Sequence, residues 1–340
     1  NVVFSNKVYF SDMIGIGFGG ILLFFLTPYF GLENLFLILI IIILISFTYI
    51  LKKRIIKITL FLLIALLISF LHTNKAPNSL LDYFSLRDSF MNPEQEFFLH
   101  IENDTFEPEI VATKWGLLSR VDIVVNKKSP IKTLTPIEDN DSTNILFKHN
   151  GNYSNDTSLY YNGSFMTIIS SPYQSKDVMN LRDNNPCNNA LVIGVGGGMD
   201  YHLLREIGVK EIIGAEINDA AIKLIEDEIA TNFFCQNKDD RIYTIDGRTI
   251  LKYSKDKFDI ILMSFVELYI PFPNSKVFVE SYLYTKESMA NAYTKLNSDG
   301  VIVISKWSST NDIAGNKEML KLAITALEAM NEIGIASPEN

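Results

Sequence analysis

Cysteine is nearly missing from this chain of 340 residues: only Cys187 and Cys235 occur, without metal-ligand spacing, and the four histidines are scattered. Neither a disulfide framework nor a zinc site is expected from that usage, and no metal cofactor is expected. Basic clusters are missing as well from everything beyond residue 73. Of 30 Lys and Arg and 39 Asp and Glu, residues 1–73 hold five and two, which leaves 25 and 37 and a net charge near −12 for the rest. That part lacks what binding to a phosphate backbone requires, so nucleic acid is excluded as a partner. Its acidity suits a small cationic amine, and equally an ordinary solvated surface. A cleavable signal peptide is not expected, because no single short apolar core is followed by a small-residue cleavage pattern.

Apolar runs, by contrast, are plentiful at the N-terminus. Residues 8–30, 34–51 and 55–71 are each close to the roughly 20 residues that cross hydrocarbon, so three transmembrane helices are expected within residues 1–73, with a lipid bilayer as partner. The first carries Asp12 and a stripe of Gly15, Gly17, Gly19 and Gly20 that would let a neighbouring helix approach. Residues 74–110 are polar and mixed and suit a linker or juxtamembrane helix. The chain begins at Asn1, not Met, and stops shortly after a helical pattern. It therefore reads as a piece of a longer protein, with further membrane helices expected before Asn1 and further strands after Asn340.

A small β-domain is expected over 111–175. Lys114–Val125 ends in β-branched alternation, and Asn162-Gly163 stands between two apolar runs as a hairpin signal. From residue 186 to 340 apolar strands and helical patterns alternate as in a parallel sheet. The strands are predicted at 190–195, 211–216, 241–245, 258–264 and 300–306, and the helices at 200–207, 219–229, 247–253, 286–297 and 315–333.

Within that domain the densest signal is ALVIGVGGGMD, Ala190 to Asp200, followed sixteen residues later by Glu216 at the end of a second apolar run. Gly194, Gly196, Gly197 and Gly198 let the backbone turn tightly beside a ligand, a helix opens just after them, and Glu216 can accept both hydroxyls of a ribose. A dinucleotide fingerprint asks for a third glycine where Met199 stands, which argues against NAD. Downstream follow AEIN (Ala215–Asn218), YTIDG (Tyr243–Gly247) and FDIILMSFVELY (Phe258–Tyr269). An acidic residue at a strand's C-terminal end is often only a helix cap, so it is the order and spacing of these segments that single out a nucleoside site.

Together these segments resemble the spermidine synthase family, over about Ile145–Trp307. The glycine loop, the LRE of Leu204–Glu206, AEIN and YTIDG all have counterparts there, in the same order. The likeness extends to membrane-embedded spermidine synthase-like proteins, which show S-x-V-[DE] and E-x-Y-L-Y-T, here Ser264–Glu267 and Glu280–Thr285. The fold this resemblance implies is α/β: a Rossmann-like class I methyltransferase sheet, preceded by the small β-domain and the transmembrane helices. It implies a donor, S-adenosylmethionine or its decarboxylated form. The donor would be held by Gly194, Gly196, Gly197, Gly198, Asp200, Glu216, Ile217, Asp246 and Gly247, with Glu216 on the ribose and Asp246 on the adenine amino group. The acceptor is implied to be a small amine, contacted by Glu267, Tyr173, Gln174 and Tyr282, with core packing the competing role for the aromatic segment Ser281–Tyr284.

The lid departs from the family. Its D-x-x-D-P aspartates fall on Ser264 and Glu267, and its proline on Leu268. Serine cannot take a proton from an ammonium group near neutral pH, so catalysis would rest on Glu267, with Ser264 beside it. Aminopropyl transfer is the leading reading, with methyl transfer from intact S-adenosylmethionine and a non-catalytic adenosyl-ligand sensor as alternatives. Lys52, Lys53, Arg54 and Lys57 between the second and third spans would send the domain outward by the positive-inside rule. Because adenosyl donors are cytosolic, the expectation is an inner-membrane protein with a cytoplasmic transferase domain. Self-association into a homo-oligomer is left open.

Overall fold

The computed structural model describes residues 2–50, 56, 58–65, 108–117, 120–126, 133–138, 142–143, 146–147, 188–206, 208–228, 239–264, 266, 282–305 and 313–335. The chain divides into two compact units, Asn1–Pro130 with Ile137–Thr143, and Ile131–Pro136 with Asn144–Asn340.

Helix α1 (Val2–Ile50) is two helical arms joined at Gly31, whose φ of 73° and ψ of 157° are non-helical. Pro28, with no N–H to donate, precedes that break. The few polar side chains turn back on the helix: Thr27 Oγ1 donates to the Leu23 carbonyl at 2.8 Å and Ser46 Oγ to that of Ile42 at 2.9 Å. Tyr9–Gly31 is long and apolar enough to cross a membrane, whereas Asn34–Ser46 is apolar but shorter. Where three spans are expected from the sequence, one helix among the described residues meets the length requirement. The second stretch is the arm beyond the Gly31 break. Of the third, residues 56 and 58–65 are helical, and the remainder lies outside the described residues.

Strands β1 (Pro108–Trp115), β2 (Arg120–Asn126), β3 (Thr133–Glu138), β4 (Ser142–Thr143) and β5 (Leu146–Phe147) form one sheet in the order β1-β2-β3-β4, with β5 paired to β3. The pairs β1–β2, β3–β4 and β3–β5 are antiparallel. Thr113 stands opposite Asp122, and the buried Arg120 donates from Nε to Asp122 Oδ1 at 3.0 Å, so this buried charged pair is compensated. The Asn162-Gly163 hairpin lies outside the described residues.

The second sheet carries the candidate site. Its strands β6 (Asn189–Ile193), β7 (Glu211–Glu216), β8 (Arg241–Thr244), β9 (Phe258–Ser264) and β10 (Leu296–Ser305) lie in the order β10-β9-β6-β7-β8, with all neighbours parallel. Between them come helices α2 (Met199–Glu206), α3 (Asp219–Glu228), α4 (Gly247–Tyr253) and α5 (Lys286–Thr294), and α6 (Ile313–Glu332) follows β10. Strands β6, β7 and β9 read as unbroken apolar runs because helices cover both sheet faces. Leu191, Ile213, Ala215, Phe258, Ile261 and Met263 are buried in one core with Leu251 of α4 and Ala292 of α5. The chain starts on the central strand, moves outward through β7 and β8, and crosses back to place β9 on the other side of β6. The switch point therefore falls between β6 and β9, where open α/β sheets hold ligands beyond the strand ends.

Two details differ from the sequence expectation. Helix α5 ends at Thr294 instead of 297, and β10 begins at Leu296 instead of 300. The polar stretch Asn297-Ser298-Asp299-Gly300, which resembles a turn by composition, is a register irregularity inside the strand: Leu296 pairs with Phe258, and the ladder resumes at Val301 with Ile260. Asn297 donates from Nδ2 to Asp259 Oδ1 at 2.6 Å, and a Cβ on Gly300 would stand 2.8 Å from the Phe258 carbonyl oxygen. A side-chain bond and a close backbone approach thus hold this segment in the sheet.

Below the glycine loop, Arg205 at the end of α2 forms an ion pair with Asp240, whose side chain is fully buried. Arg205 also donates to the carbonyls of Val209 at 2.7 Å and Lys210 at 2.8 Å, and Asp240 accepts from Ile212 N at 2.9 Å. This one pair ties α2 to the starts of β7 and β8.

Candidate functional site

The loop after β6 is built by its glycines. Gly194, Gly196 and Gly198 have φ of 76°, 48° and 82°, the left-handed region that costs other residues about 1–2 kcal/mol. Gly194 N donates to the Ala215 carbonyl at 2.9 Å, which binds the loop to β7, and Gly198 N donates to the Val195 carbonyl at 2.9 Å, which closes the turn. A Cβ on Gly194 would lie 2.9 Å from Cγ1 of Val266, so Val266 rests on the loop at the switch point. Gly197 is buried, and Asp200 is buried in the first turn of α2, the helix end that favours a negative charge. Replacing Gly194 with alanine is expected to lower stability by about 1–2 kcal/mol and to displace Val266. Denaturant unfolding measures this, and an unchanged midpoint would contradict the geometry.

Glu216 ends β7 with only 7% of its surface exposed. Its carboxylate bridges two loops: Oε2 accepts from Gly196 N at 3.0 Å and Oε1 from Asn218 N at 2.9 Å. An ionised carboxylate offers about four acceptor positions, so two remain for a pair of donors arriving from the cleft. Asn218 also caps α3 by accepting from Ala220 N at 3.2 Å, which holds its own N–H toward Glu216. Ile217, between them, is 58% exposed and presents an apolar side chain beside the carboxylate.

The Ile245 N–H donates to the Glu216 carbonyl at 2.9 Å and so brings the end of β8 alongside. Asp246 follows as the N-cap of α4, accepting from Arg248 N at 2.8 Å on Oδ1 and from Arg248 Nη2 at 2.9 Å on Oδ2. Partial burial pushes this carboxyl up, but the side-chain and backbone bonds from Arg248 and its charge outweigh that and hold it below the usual carboxylate range. The Arg248 guanidinium lies 4.6 Å from the centroid of the Tyr282 ring. Gly247 is required by packing, since a Cβ there would overlap the Ile193 side chain. The cap role is therefore real for Asp246, whereas Glu216 caps no helix and is held by loop amides.

Ser264 ends β9 in register with Ser305 of β10. Glu267, Tyr173 and Gln174 lie outside the described residues. Tyr282, placed by sequence with the acceptor, is half exposed in a single 3-10 turn (Tyr282–Tyr284) and packs on Arg248, at the Asp246 end of the cleft. Sequence reasoning passed over three contributors. Asn218 had a signal, a capping residue before an acidic first turn. Arg205 stood in the LRE motif without a partner to suggest its role. Arg248 had only its spacing from Asp246. Among the described residues no group of His, Cys, Asp and Glu is arranged to hold a metal.

Fold and site together define an α/β domain with a parallel sheet, in which a glycine loop follows β6 at the switch point and the Glu216 and Asp246 carboxylates stand at the next strand ends. Over 168 residues the chain is 30% identical to the "Probable polyamine aminopropyl transferase" of Bifidobacterium longum (strain NCC 2705), a match that covers 48% of this chain and 32% of that protein. The chain is thus similar to a probable polyamine aminopropyl transferase, and the matched region spans about a third of that relative's length. No protein-family model matches the chain. Among solved structures, spermidine synthase in complex with the transition state analogue AdoDATO is 19% identical, with a TM-score of 0.40 and coverage of 65% of this chain and 63% of that one. Spermidine synthase from Thermotoga maritima is 18% identical, with a TM-score of 0.39 and coverage of 65% and 64%.

Proposed function

We propose that this chain is a membrane-anchored, spermidine synthase-like transferase that moves an aminopropyl group from decarboxylated S-adenosylmethionine to a small amine. The observation that carries this reading is the buried Glu216 carboxylate, bridged by the Gly196 and Asn218 amides with acceptor capacity left over, beside a second carboxylate, Asp246, at the next strand end. The similarity to a polyamine aminopropyl transferase supports the same reaction. In this reading the ribose diol donates to Glu216, the adenine lies against Ile217 with its amino group toward Asp246, and the sulfonium sits over Gly194–Gly198. Asp200 adds negative charge near the cationic donor.

The amine lone pair attacks the aminopropyl carbon next to sulfur. The carbon–nitrogen bond forms as the carbon–sulfur bond breaks, and sulfur keeps the electron pair, leaving methylthioadenosine. The proton of the new ammonium passes to a carboxylate. Sulfur is already a good leaving group, so alignment and desolvation of the amine provide most of the rate. Glu267 is the one carboxylate between Asp259 and Glu280, and we assign it the proton-accepting and amine-holding role. Ser264, a hydroxyl on the neighbouring strand end, lines the same region without serving as base, and Tyr173 and Gln174 complete the acceptor side, whereas Tyr282 stands with Arg248 at the Asp246 end. The apolar N-terminal helix anchors the protein in the inner membrane with the transferase unit in the cytoplasm, where adenosyl donors are found.

Glu267→Gln is expected to leave donor affinity nearly intact and to lower turnover by about 10²-fold, the scale for losing a positioned base. Calorimetry with the donor and steady-state kinetics with putrescine separate the two quantities. Wild-type turnover in this variant would remove Glu267 from the mechanism.

A further inference from the structure

Arg248 is unusual in this cleft. Asp200, Glu216 and Asp246 make the site acidic, and Arg248 brings a cation to its edge, held on two sides. Its backbone N and Nη2 each donate to one oxygen of Asp246, at 2.8 and 2.9 Å, and its guanidinium carbon stands 4.6 Å from the centroid of the Tyr282 ring. The turn that carries Tyr282 is itself fixed to the start of α4, because Leu283 packs into the same core and would stand 3.3 Å from a Cβ on Gly247. Arg248 therefore links the Asp246 carboxylate at the start of α4 to a turn far away in sequence through its contact with Tyr282. The pair is 43% and 35% exposed, so it contributes little to stability, and its geometry calls for another explanation.

Resting on the nucleoside reading above, we infer that Arg248 is a positioning residue which, braced on Tyr282, fixes the Asp246 carboxylate as an acceptor-only edge and so sets a preference for 6-amino over 6-oxo purines. A carboxylate with both oxygens pinned cannot turn away from the base. It accepts from an exocyclic amino group and repels a carbonyl oxygen in the same place. Released from Arg248, it keeps its bond to the α4 backbone on one oxygen only, and the second oxygen becomes free to follow solvent.

Titration calorimetry of the full chain with methylthioadenosine and with its 6-oxo counterpart, methylthioinosine, tests this. Wild type is expected to favour the amino form. Arg248→Met is expected to reduce that preference about tenfold, mainly through weaker binding of the amino form, the scale of one charge-assisted hydrogen bond. Arg248→Lys, which keeps the charge but not the planar fork, is expected to recover part of it. A purely structural role would weaken both ligands by one factor, so an unchanged preference overturns the inference. The pH dependence is a second readout. Loss of Arg248 lets the Asp246 carboxyl return toward its ordinary range, so the acid limb of binding moves to higher pH, and an unmoved limb counts against the brace. Binding of neither ligand by wild type would overturn the nucleoside reading and this inference together. Binding by wild type with Arg248→Met indistinguishable from it would overturn the inference alone.

Discussion

Glu216→Ala is expected to weaken binding of an adenosyl ligand by at least 10²-fold, the largest single effect on affinity at this site. Two charge-assisted hydrogen bonds to the ribose disappear, each worth roughly 1.5–3 kcal/mol. The loss goes further, because the Gly196 and Asn218 amides lose the acceptor that joins the glycine loop to the turn after β7. Glu216→Gln separates the two contributions: it keeps one oxygen and the side chain's size but presents a donor where the second oxygen stood. It is expected to retain the fold and to bind with intermediate affinity. Calorimetry paired with thermal unfolding measures both. Full affinity in a folded Glu216→Ala protein would mean that the nucleoside lies elsewhere.

The largest effect on stability is expected far from the ligand. Arg205→Met removes the ion pair of the buried Asp240 carboxyl, which costs about 3–5 kcal/mol. Two carbonyl acceptors, of Val209 and Lys210, lose their donor as well. Combining Arg205→Met with Asp240→Asn is expected to recover much of the deficit, since the amide oxygen still accepts from Ile212 N without carrying a charge. Denaturant midpoints across the single and double variants give the coupling directly. If the single variant were as stable as wild type, the pair would not be the strut that joins α2 to β7 and β8.

Much of this architecture was legible in the residues themselves. The apolar runs that became β6, β7 and β9 are unbroken because both faces of a parallel sheet are covered, and that pattern survives without any knowledge of partners. Glu216 stands where the residues put it, at the end of a buried strand, with its carboxylate on the Gly196 and Asn218 amides. Asp246 was less distinctive, and it does cap α4. What the sequence hid are pairings between distant positions. Nothing local relates Arg205 to Asp240, 35 residues away, or Arg248 to Tyr282. The irregularity in β10 was hidden differently, since Asn, Ser, Asp and Gly in a row carry the composition of a turn, while a bond to Asp259 keeps them in the strand. At the N-terminus, three apolar stretches suggest three spans; the first two are helices that meet at the non-helical Gly31, and among the described residues Tyr9–Gly31 has the length and apolarity to cross a membrane.

The central claim is that the adenosyl donor is cleaved between sulfur and the aminopropyl carbon. The measurement that addresses it most directly is mass-spectrometric product analysis of the purified chain incubated with putrescine and, in separate reactions, decarboxylated S-adenosylmethionine and intact S-adenosylmethionine. The account predicts methylthioadenosine and an aminopropylated amine in equal amounts from the decarboxylated donor, and no S-adenosylhomocysteine from the intact one. Adenosylhomocysteine with a methylated acceptor, or a donor that binds and is recovered unchanged with every amine offered, would contradict it.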